Sequence, residues 1–167
     1  IQAHMVRLLT ASRQFDVLID DDRAGEAADL VGLRIDGEDL RVTLVHCKFS
    51  HEAVPGGRVI DLYEVAGQAI RGARWRDHSA EPLLTHLERR VHNHLRRGID
   101  PFEVGCADEL RKIHERARFK WPRLATVIAQ PGMSFAAASS EQLRLLAGAD
   151  SYVRTVTKGS FEVYCSP

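Results

Sequence analysis

Residues 15–49 read FDVLIDDDRAGEAADLVGLRIDGEDLRVTLVHCKF, and this stretch decides the fold. It contains three runs rich in β-branched and other apolar residues, at 15–20, 28–35 and 41–49. The polar sequences DDRAG and DGED separate the three runs. Short turns between strand-like runs are typical of antiparallel neighbours, so this stretch predicts a three-stranded meander.

The segments on either side of the meander favour helices and two later strands. Apolar residues at helical spacing predict a leading helix around Met5, and a loop at 51–57 is followed by a helical pattern from 59 to about 76. Further helices are predicted after Ser79, from Asp100, from Asp108 and from Ser139, and strands at 124–130 and 161–165. The prediction is therefore an α/β fold with a mixed β-sheet flanked by helices.

Length and composition indicate one globular domain over residues 1–167. The chain is 44% apolar, but no apolar run approaches the roughly 18 residues that a membrane-spanning helix needs. Three widely spaced cysteines without a CxxC pair predict neither a disulfide framework nor a zinc site, which favours a reducing, cytoplasmic location. Because Ile1 already lies in a helical pattern and is not a Met, we expect a segment of a longer protein.

The net charge of zero conceals an asymmetry along the chain. Residues 14–64 hold twelve acidic and five basic side chains, whereas residues 65–125 hold eight acidic and thirteen basic ones. Carboxylates can bind cations and basic side chains can bind phosphates, so this distribution suits a metal-dependent site for a polyanion. Ordinary solvated helix faces are the alternative explanation.

A candidate catalytic group follows from the element order. A leading helix, a meander, a helix and a further strand are the order of the restriction-endonuclease-like fold, whose phosphodiester chemistry needs carboxylates that hold divalent cations and a nearby cation. Asp29 begins the second predicted strand, and Glu26 precedes it by three residues. His46 and Lys48 are two apart on the third strand and should face the same side. Asp20, Asp21 and Asp22 compete for the same role, and each could simply form the turn.

Several stretches carry a resemblance to a known family. They are DDDRAGEAAD at 20–29, LVHCK at 44–48, PGGRVIDLYEVAGQA at 55–69, VIAQPGM at 127–133, QLRLL at 142–146 and FEVYCS at 161–166. Together they resemble the PD-(D/E)XK nuclease module found at the C-terminus of bacterial DEAD/DEAH-box helicase family proteins. The resemblance implies a restriction-endonuclease-like core, a Mg²⁺- or Mn²⁺-dependent deoxyribonuclease, a helicase domain in the same polypeptide, and a role in restriction or mobile-element defence.

The resemblance also implies roles for individual residues. Asp29 resembles the acid that bridges the metals, with Glu26 as a second ligand, and Lys48 resembles the catalytic lysine that serves the attacking water. Cys47 occupies the middle position of the triplet, where the backbone carbonyl commonly faces the metal. Gln68 resembles a glutamine that some branches place beside the site. His46 departs from the usual Glu or Asp and becomes a candidate ligand that would favour Mn²⁺ over Mg²⁺.

Three hypotheses about function remain open at this point. The first is DNA hydrolysis, with Arg58, Arg71, Arg96 and Arg97 as candidate DNA-binding residues and a homo-oligomer as a possible assembly. The second is a catalytically reduced module that uses the same fold to bind DNA or to dock on the helicase portion, which the His46 departure favours. The third is an unrelated α/β interaction domain.

Overall fold

The secondary structure alternates between helices and the strands of one sheet. The structure, a computed structural model, describes residues 1–50 and 54–167. Its elements are α1 (Gln2–Ser12), β1 (Val17–Asp20), β2 (Leu30–Asp36), β3 (Asp39–Cys47), α2 (Ile60–Gly72), a 3-10 turn (Ala73–Arg76), α3 (Glu81–Leu95), β4 (Phe102–Val104), α4 (Ala107–Ala117), β5 (Arg123–Ser134), α5 (Ser140–Thr157) and β6 (Ser160–Ser166). None of the described helices is both long and apolar enough to cross a membrane.

The six strands of the described residues form one mixed sheet in the order β4-β1-β2-β3-β5-β6. The pairs β1–β2, β2–β3 and β1–β4 are antiparallel, which confirms the predicted meander. The pairs β3–β5 and β5–β6 are parallel. Because β3 and β5 are parallel, a long crossover connects them. Helix α2 is the first element of this connection. The predicted α/β fold with a mixed sheet flanked by helices is confirmed.

Helix α1 covers part of one face of the sheet. Its buried residues Met5 and Leu9 belong to a cluster with Val45 of β3 and Val127 of β5. Next to this cluster the ring of Phe15 lies on Gly32, where a Cβ atom would stand 2.3 Å from the ring. Only glycine allows this close approach.

The opposite face carries two larger hydrophobic clusters. One joins β1, β2 and β3 to α3 and α4, and it includes Leu44, Leu84 and Ile113. The other joins β5 and β6 to α2 and α5, and it includes Val65 and Ile128. Helix α2 is therefore packed on the same face of the sheet as the side chain of Leu44, near the end of β3.

The sequence prediction is wrong for the secondary structure of residues 100–104. We expected a helix to start at Asp100-Pro101, but residues Phe102–Val104 form the edge strand β4. The Asp100 carboxylate accepts a hydrogen bond from the Phe102 amide at 3.0 Å, and the Asp20 amide donates to the Pro101 carbonyl at 2.8 Å. Tertiary pairing with β1 thus overrides a local signal that suits a helix start equally well.

Smaller differences concern element boundaries. The structure begins β2 at Leu30, one residue after Asp29, and ends α2 at Gly72 with a 3-10 turn following. Strand β5 continues through Pro131 to Ser134, with a register shift against β6, although the sequence predicted a stop at Pro131. Of the loop predicted at 51–57, residues 51–53 lie outside the described part of the chain.

Candidate metal centre

Asp29 is anchored where β2 begins and β3 ends. Its carboxylate oxygen Oδ2 accepts a hydrogen bond from the backbone N–H of Cys47 at 2.8 Å. Because the two strands are antiparallel, the start of β2 lies beside the end of β3. The side chain is 7% exposed. This carboxylate is therefore held in one place, directly next to the position of Lys48.

Three carboxylates meet at this point. Asp22, Glu26 and Asp29 each offer an oxygen within 4.8 Å of the others, and among the described residues no other group of His, Cys, Asp and Glu side chains meets this criterion. Ligands around one Mg²⁺ lie about 3 to 4 Å apart, so small side-chain rotations would bring these oxygens to a shared ion. The predicted pair Glu26 and Asp29 is brought together, and Asp22 joins it.

The three carboxylates differ in their other contacts. Glu26 accepts a hydrogen bond from the Arg23 amide at 2.9 Å, and Asp22 is exposed. The neighbouring Asp20 accepts from the Asp22 amide at 3.1 Å and so shapes the turn. Part of the acidic sequence therefore serves the loop itself.

Burial changes the titration of Asp29. The pKa of Asp29 is raised to about 6: loss of hydration is the largest cause, the hydrogen bond from Cys47 opposes the rise, and the nearby charges of Glu26 and Asp22 add to it. A carboxylate in such a position is ionised at neutral pH at a free-energy cost that a bound cation would offset.

Arg90 of α3 holds the loop that carries the three carboxylates. It forms an ion pair with Asp21, which is 1% exposed, and it donates to the backbone carbonyls of Asp21 at 2.7 Å and Ala24 at 3.1 Å. Asp21 also accepts from the Ala27 amide at 2.9 Å. Asp21 thus stabilises the loop, whereas the neighbouring Asp22 lies beside Glu26 and Asp29.

Lys48 points toward helix α2. Its ammonium group forms an ion pair with Glu64, and this hydrogen bond raises the pKa of the lysine, with smaller contributions from the charges of Asp61 and Asp29. The Lys48 amide donates to the Ala129 carbonyl of β5 at 3.0 Å. The lysine therefore stays protonated at neutral pH, and Glu64 holds it.

His46 also faces α2, as the alternation along β3 predicts. It is 2% exposed, and its Nε2 atom has no hydrogen-bond partner among the described residues. A Cβ atom on Gly72 would stand 3.2 Å from that nitrogen, so the ring packs directly against the helix backbone. Burial lowers the pKa of His46 to about 4. The imidazole is neutral, and it does not join the three carboxylates.

Cys47 and Gln68 occupy less defined positions. Burial raises the pKa of the Cys47 thiol to about 12, so the thiol stays protonated, and the residue contributes its backbone N–H to Asp29. Gln68 lies on α2 one turn after Glu64, and its Oε1 atom is buried without a hydrogen-bond partner in the described part of the chain. Neither side chain belongs to the carboxylate group.

The four candidate DNA-binding arginines lie at the two ends of α2 and directly after α3. All four are exposed: Arg58 precedes α2, Arg71 lies near its end, and Arg96 and Arg97 follow α3. Arg97 lines a cavity of about 180 Å³ together with Arg23 and Arg90. That cavity adjoins the acidic loop, so Arg97 is the arginine with the clearest structural link to the candidate centre.

Sequence reasoning missed the residues that position the centre. Asp22 could not be separated from Asp20 and Asp21, because three consecutive carboxylates give no indication of which one turns inward. Arg90 lies 69 positions from Asp21 in sequence, so no local pattern connects the two residues. Glu64 lies 16 positions after Lys48, on a helix with several other polar residues, so nothing in the local sequence indicates their ion pair.

Comparisons of the chain with protein-family models, with curated proteins and with solved structures give no significant match.

Proposed function

We propose that this domain hydrolyses DNA phosphodiester bonds with the help of Mg²⁺ or Mn²⁺ bound at Asp22, Glu26 and Asp29. The observation that carries the proposal is the buried carboxylate of Asp29, which lies beside the carboxylates of Asp22 and Glu26. It is held by the backbone N–H of Cys47, the residue directly before Lys48. Oxygen ligands of this kind suit hard divalent cations. A bound cation would supply Lewis-acid stabilisation of the phosphate and a more acidic water.

The topology supports a restriction-endonuclease-like core for this proposal. Helix α1, the meander β1–β3, helix α2 and strand β5 follow the element order of that fold, and β5 pairs in parallel with β3. The carboxylates and Lys48 then lie at the end of the two central strands, where that fold carries its chemistry. In this proposal Lys48 stabilises charge on the phosphate, and release of its ion pair with Glu64 would free it for the substrate.

Cleavage assays on supercoiled, linear and single-stranded DNA, with Mg²⁺, Mn²⁺ or EDTA, test the proposal. Asp29→Asn keeps an acceptor for the Cys47 amide but removes the charge, so we expect it to abolish metal-dependent cleavage. Asp77→Asn is the matched control, because Asp77 is exposed and distant in sequence from the centre. Undiminished cleavage by Asp29→Asn would exclude this centre.

A catalytically reduced, DNA-binding module is the second candidate function. Two observations favour it: Lys48 is engaged by Glu64, and His46 stands where the resembling family has a carboxylate and does not approach the centre. Wild-type protein that binds DNA with a salt-dependent affinity, but cleaves none of the substrates with any metal, would establish this alternative. A helicase domain in the same polypeptide and a defence role rest on the sequence resemblance alone.

A further inference from the structure

A large cavity opens on the face of the sheet that α1 covers only in part. Its volume is about 1060 Å³, and the last residues of α1 form one of its walls. Thr43 of β3, Ala125 of β5 and Ser160 of β6 contribute small side chains to its lining. The strand residues in this lining lie at the opposite end of the sheet from Asp29. Asp29 is hydrogen-bonded to Cys47 at the end of β3, whereas Arg41 lies six residues earlier on that strand, a distance of about 20 Å.

Three arginines stand side by side across this end of the sheet. Arg34 of β2 is the direct partner of Arg41 of β3, and Arg41 is in turn the register partner of Arg123 of β5. All three line the cavity. Like charges at directly opposed positions destabilise a sheet, so this row opposes folding unless anions neutralise it.

The protein neutralises this row only in part. Asp36 binds Arg41 at 2.7 Å and Asp39 binds Arg123 at 2.8 Å. The Arg34 side chain has no hydrogen-bond or ion-pair partner within residues 1–50 and 54–167, and the same holds for Lys158, which also lines the cavity. Two cationic side chains are therefore available to a ligand.

The charge of the whole lining has the same sign. Five basic side chains contribute to it and two acidic ones, Asp36 and Glu162; the basic ones are Arg13, Arg34, Arg41, Arg123 and Lys158. Glu162 is engaged by Arg13. The cavity is thus a concave, net-positive site whose arginines can bind oxyanions in a bidentate manner.

We propose that this cavity binds a ligand that carries two or more phosphate groups. Neighbouring strands lie about 4.8 Å apart, so the adjacent arginines can each bind a different phosphate of one ligand. The cavity volume of about 1060 Å³ slightly exceeds the roughly 300 to 1,000 Å³ typical of small-molecule sites. A single phosphate ion would leave such a cavity largely empty. A nucleoside triphosphate and a segment of nucleic-acid backbone both supply the required chemistry.

Calorimetric titrations in EDTA test this site separately from the metal centre. The probes are pyrophosphate, a nucleoside triphosphate and a short single-stranded DNA oligonucleotide, each at about 150 mM salt. Replacing Arg34 and Lys158 together by glutamine should weaken binding about tenfold or more, because each removes a charge-assisted hydrogen-bond donor. Tighter binding of the nucleotide would identify a nucleotide site, and tighter binding of the oligonucleotide a nucleic-acid site.

The matched control replaces Arg144 and Lys112 by glutamine. Both are exposed, lie on α5 and α4, and have no side-chain partner in the described part of the chain, so binding should change less than about twofold. Asp29→Asn should likewise retain binding, which separates this site from the proposed nuclease centre. Equal losses in the test and control variants, or no saturable binding of any probe by the wild type, would overturn the proposal.

Thermal melting distinguishes a ligand site from a structural role of Arg34. Since Arg34 opposes Arg41, Arg34→Gln relieves a repulsion, and the unliganded variant should melt at the same temperature as the wild type or higher. Pyrophosphate should raise the melting temperature of the wild type by more than that of this variant at the same ligand concentration. Arg34→Lys keeps the charge without the planar fork and should bind with intermediate affinity; wild-type affinity in both Arg34 variants would contradict the assignment.

Discussion

The carboxyl group of Asp29 links the stability of the domain to pH. Burial raises its pKa to about 6, whereas an aspartate in the unfolded chain ionises near pH 3.9. Between these values the folded state retains a proton that the unfolded state has lost, so the Asp29 contribution to stability falls as the pH rises from about 4 to 6. At pH 7 the cost is on the order of 3 kcal/mol.

Asp29→Asn should therefore stabilise the protein at pH 7 by up to about 3 kcal/mol and have little effect at pH 4. Asparagine still accepts the hydrogen bond from the Cys47 amide, so the local geometry is kept. Urea unfolding of wild type and variant at both pH values measures the difference. A variant that is less stable than the wild type at pH 7 would show that the charged carboxylate makes net favourable contacts.

His46 should act on stability with the opposite sign. Its pKa is lowered to about 4 by burial, so between pH 4 and 6.5 the unfolded chain binds a proton that the folded state excludes. Its contribution is fully present above about pH 6.5 and is lost as the pH falls toward 4. Relative to wild type, His46→Leu should gain on the order of 3 kcal/mol between pH 7 and pH 4 in urea unfolding. An unchanged difference would mean that the imidazole can be protonated in the folded state.

Asp29, and not His46, should determine the acid limb of the proposed cleavage. Protons and metal compete for Asp29, so cleavage in Mn²⁺ should decline below about pH 6, with the midpoint dependent on metal concentration. Because His46 lies apart from the three carboxylates, His46→Ala should have the same acid limb as wild type. A shifted limb in that variant would restore His46 as a metal ligand.

Among the elements, α3 contributes to the candidate centre although it carries none of the three carboxylates. Its residue Arg90 binds the buried Asp21 and two loop carbonyls. Arg90→Ala leaves a buried carboxylate without its partner, which costs about 3 to 5 kcal/mol. The adjacent, exposed Arg89 is the control, and Arg89→Ala should stay within about 0.5 kcal/mol of wild type. If both variants unfold at the same urea concentration, α3 does not stabilise the loop.

Patterns within one element were predictable from the sequence, and contacts between distant elements were not. The strands of the meander follow from local apolar runs and turns, and the start of α5 follows from Ser139 and Gln142, which form the reciprocal capping hydrogen bonds. The second hydrogen-bonding role of Gln142 was not predictable. Its amide also donates to the carbonyls of Gly56 and Arg58, each at 3.0 Å, and thereby ties α5 to the segment before α2.

The candidate site shows the same division. Asp29 and Glu26 were predictable as candidates because they lie just before β2, and because the triplet His46-Cys47-Lys48 lies at the end of the neighbouring strand β3. The hydrogen bond from Cys47 to Asp29, the ion pair between Lys48 and Glu64, and the packing of His46 on Gly72 depend on the fold. Local sequence contains no signal for such distances, and for that reason the direction of the Lys48 ammonium was not foreseen.

For the whole molecule, the charge asymmetry along the chain becomes a testable property of DNA binding. Arg96 and Arg97 are exposed directly after α3, and Arg97 lines the small cavity beside the acidic loop. Replacing both by glutamine should reduce the logarithmic salt slope of duplex binding by about 0.9 for each lost phosphate contact. The Arg144 and Lys112 double variant should leave the slope unchanged. Fluorescence anisotropy at several salt concentrations measures this slope. The same slope in both double variants would mean that Arg96 and Arg97 are exposed to solvent without contacting DNA phosphates.

The parallel pairing of β3 with β5 has a consequence for how the chain folds. Val45 and Val127 are neighbours in the centre of the sheet, but 82 positions separate them in sequence. The hairpins of β1, β2 and β3 can form early from local contacts, whereas β5 can dock only after the chain has closed this long loop. Until then β3 presents an unpaired, apolar edge. The interval before β5 arrives is therefore the period in which newly made chains are most exposed to aggregation, and slow synthesis of residues 48–122 would prolong it.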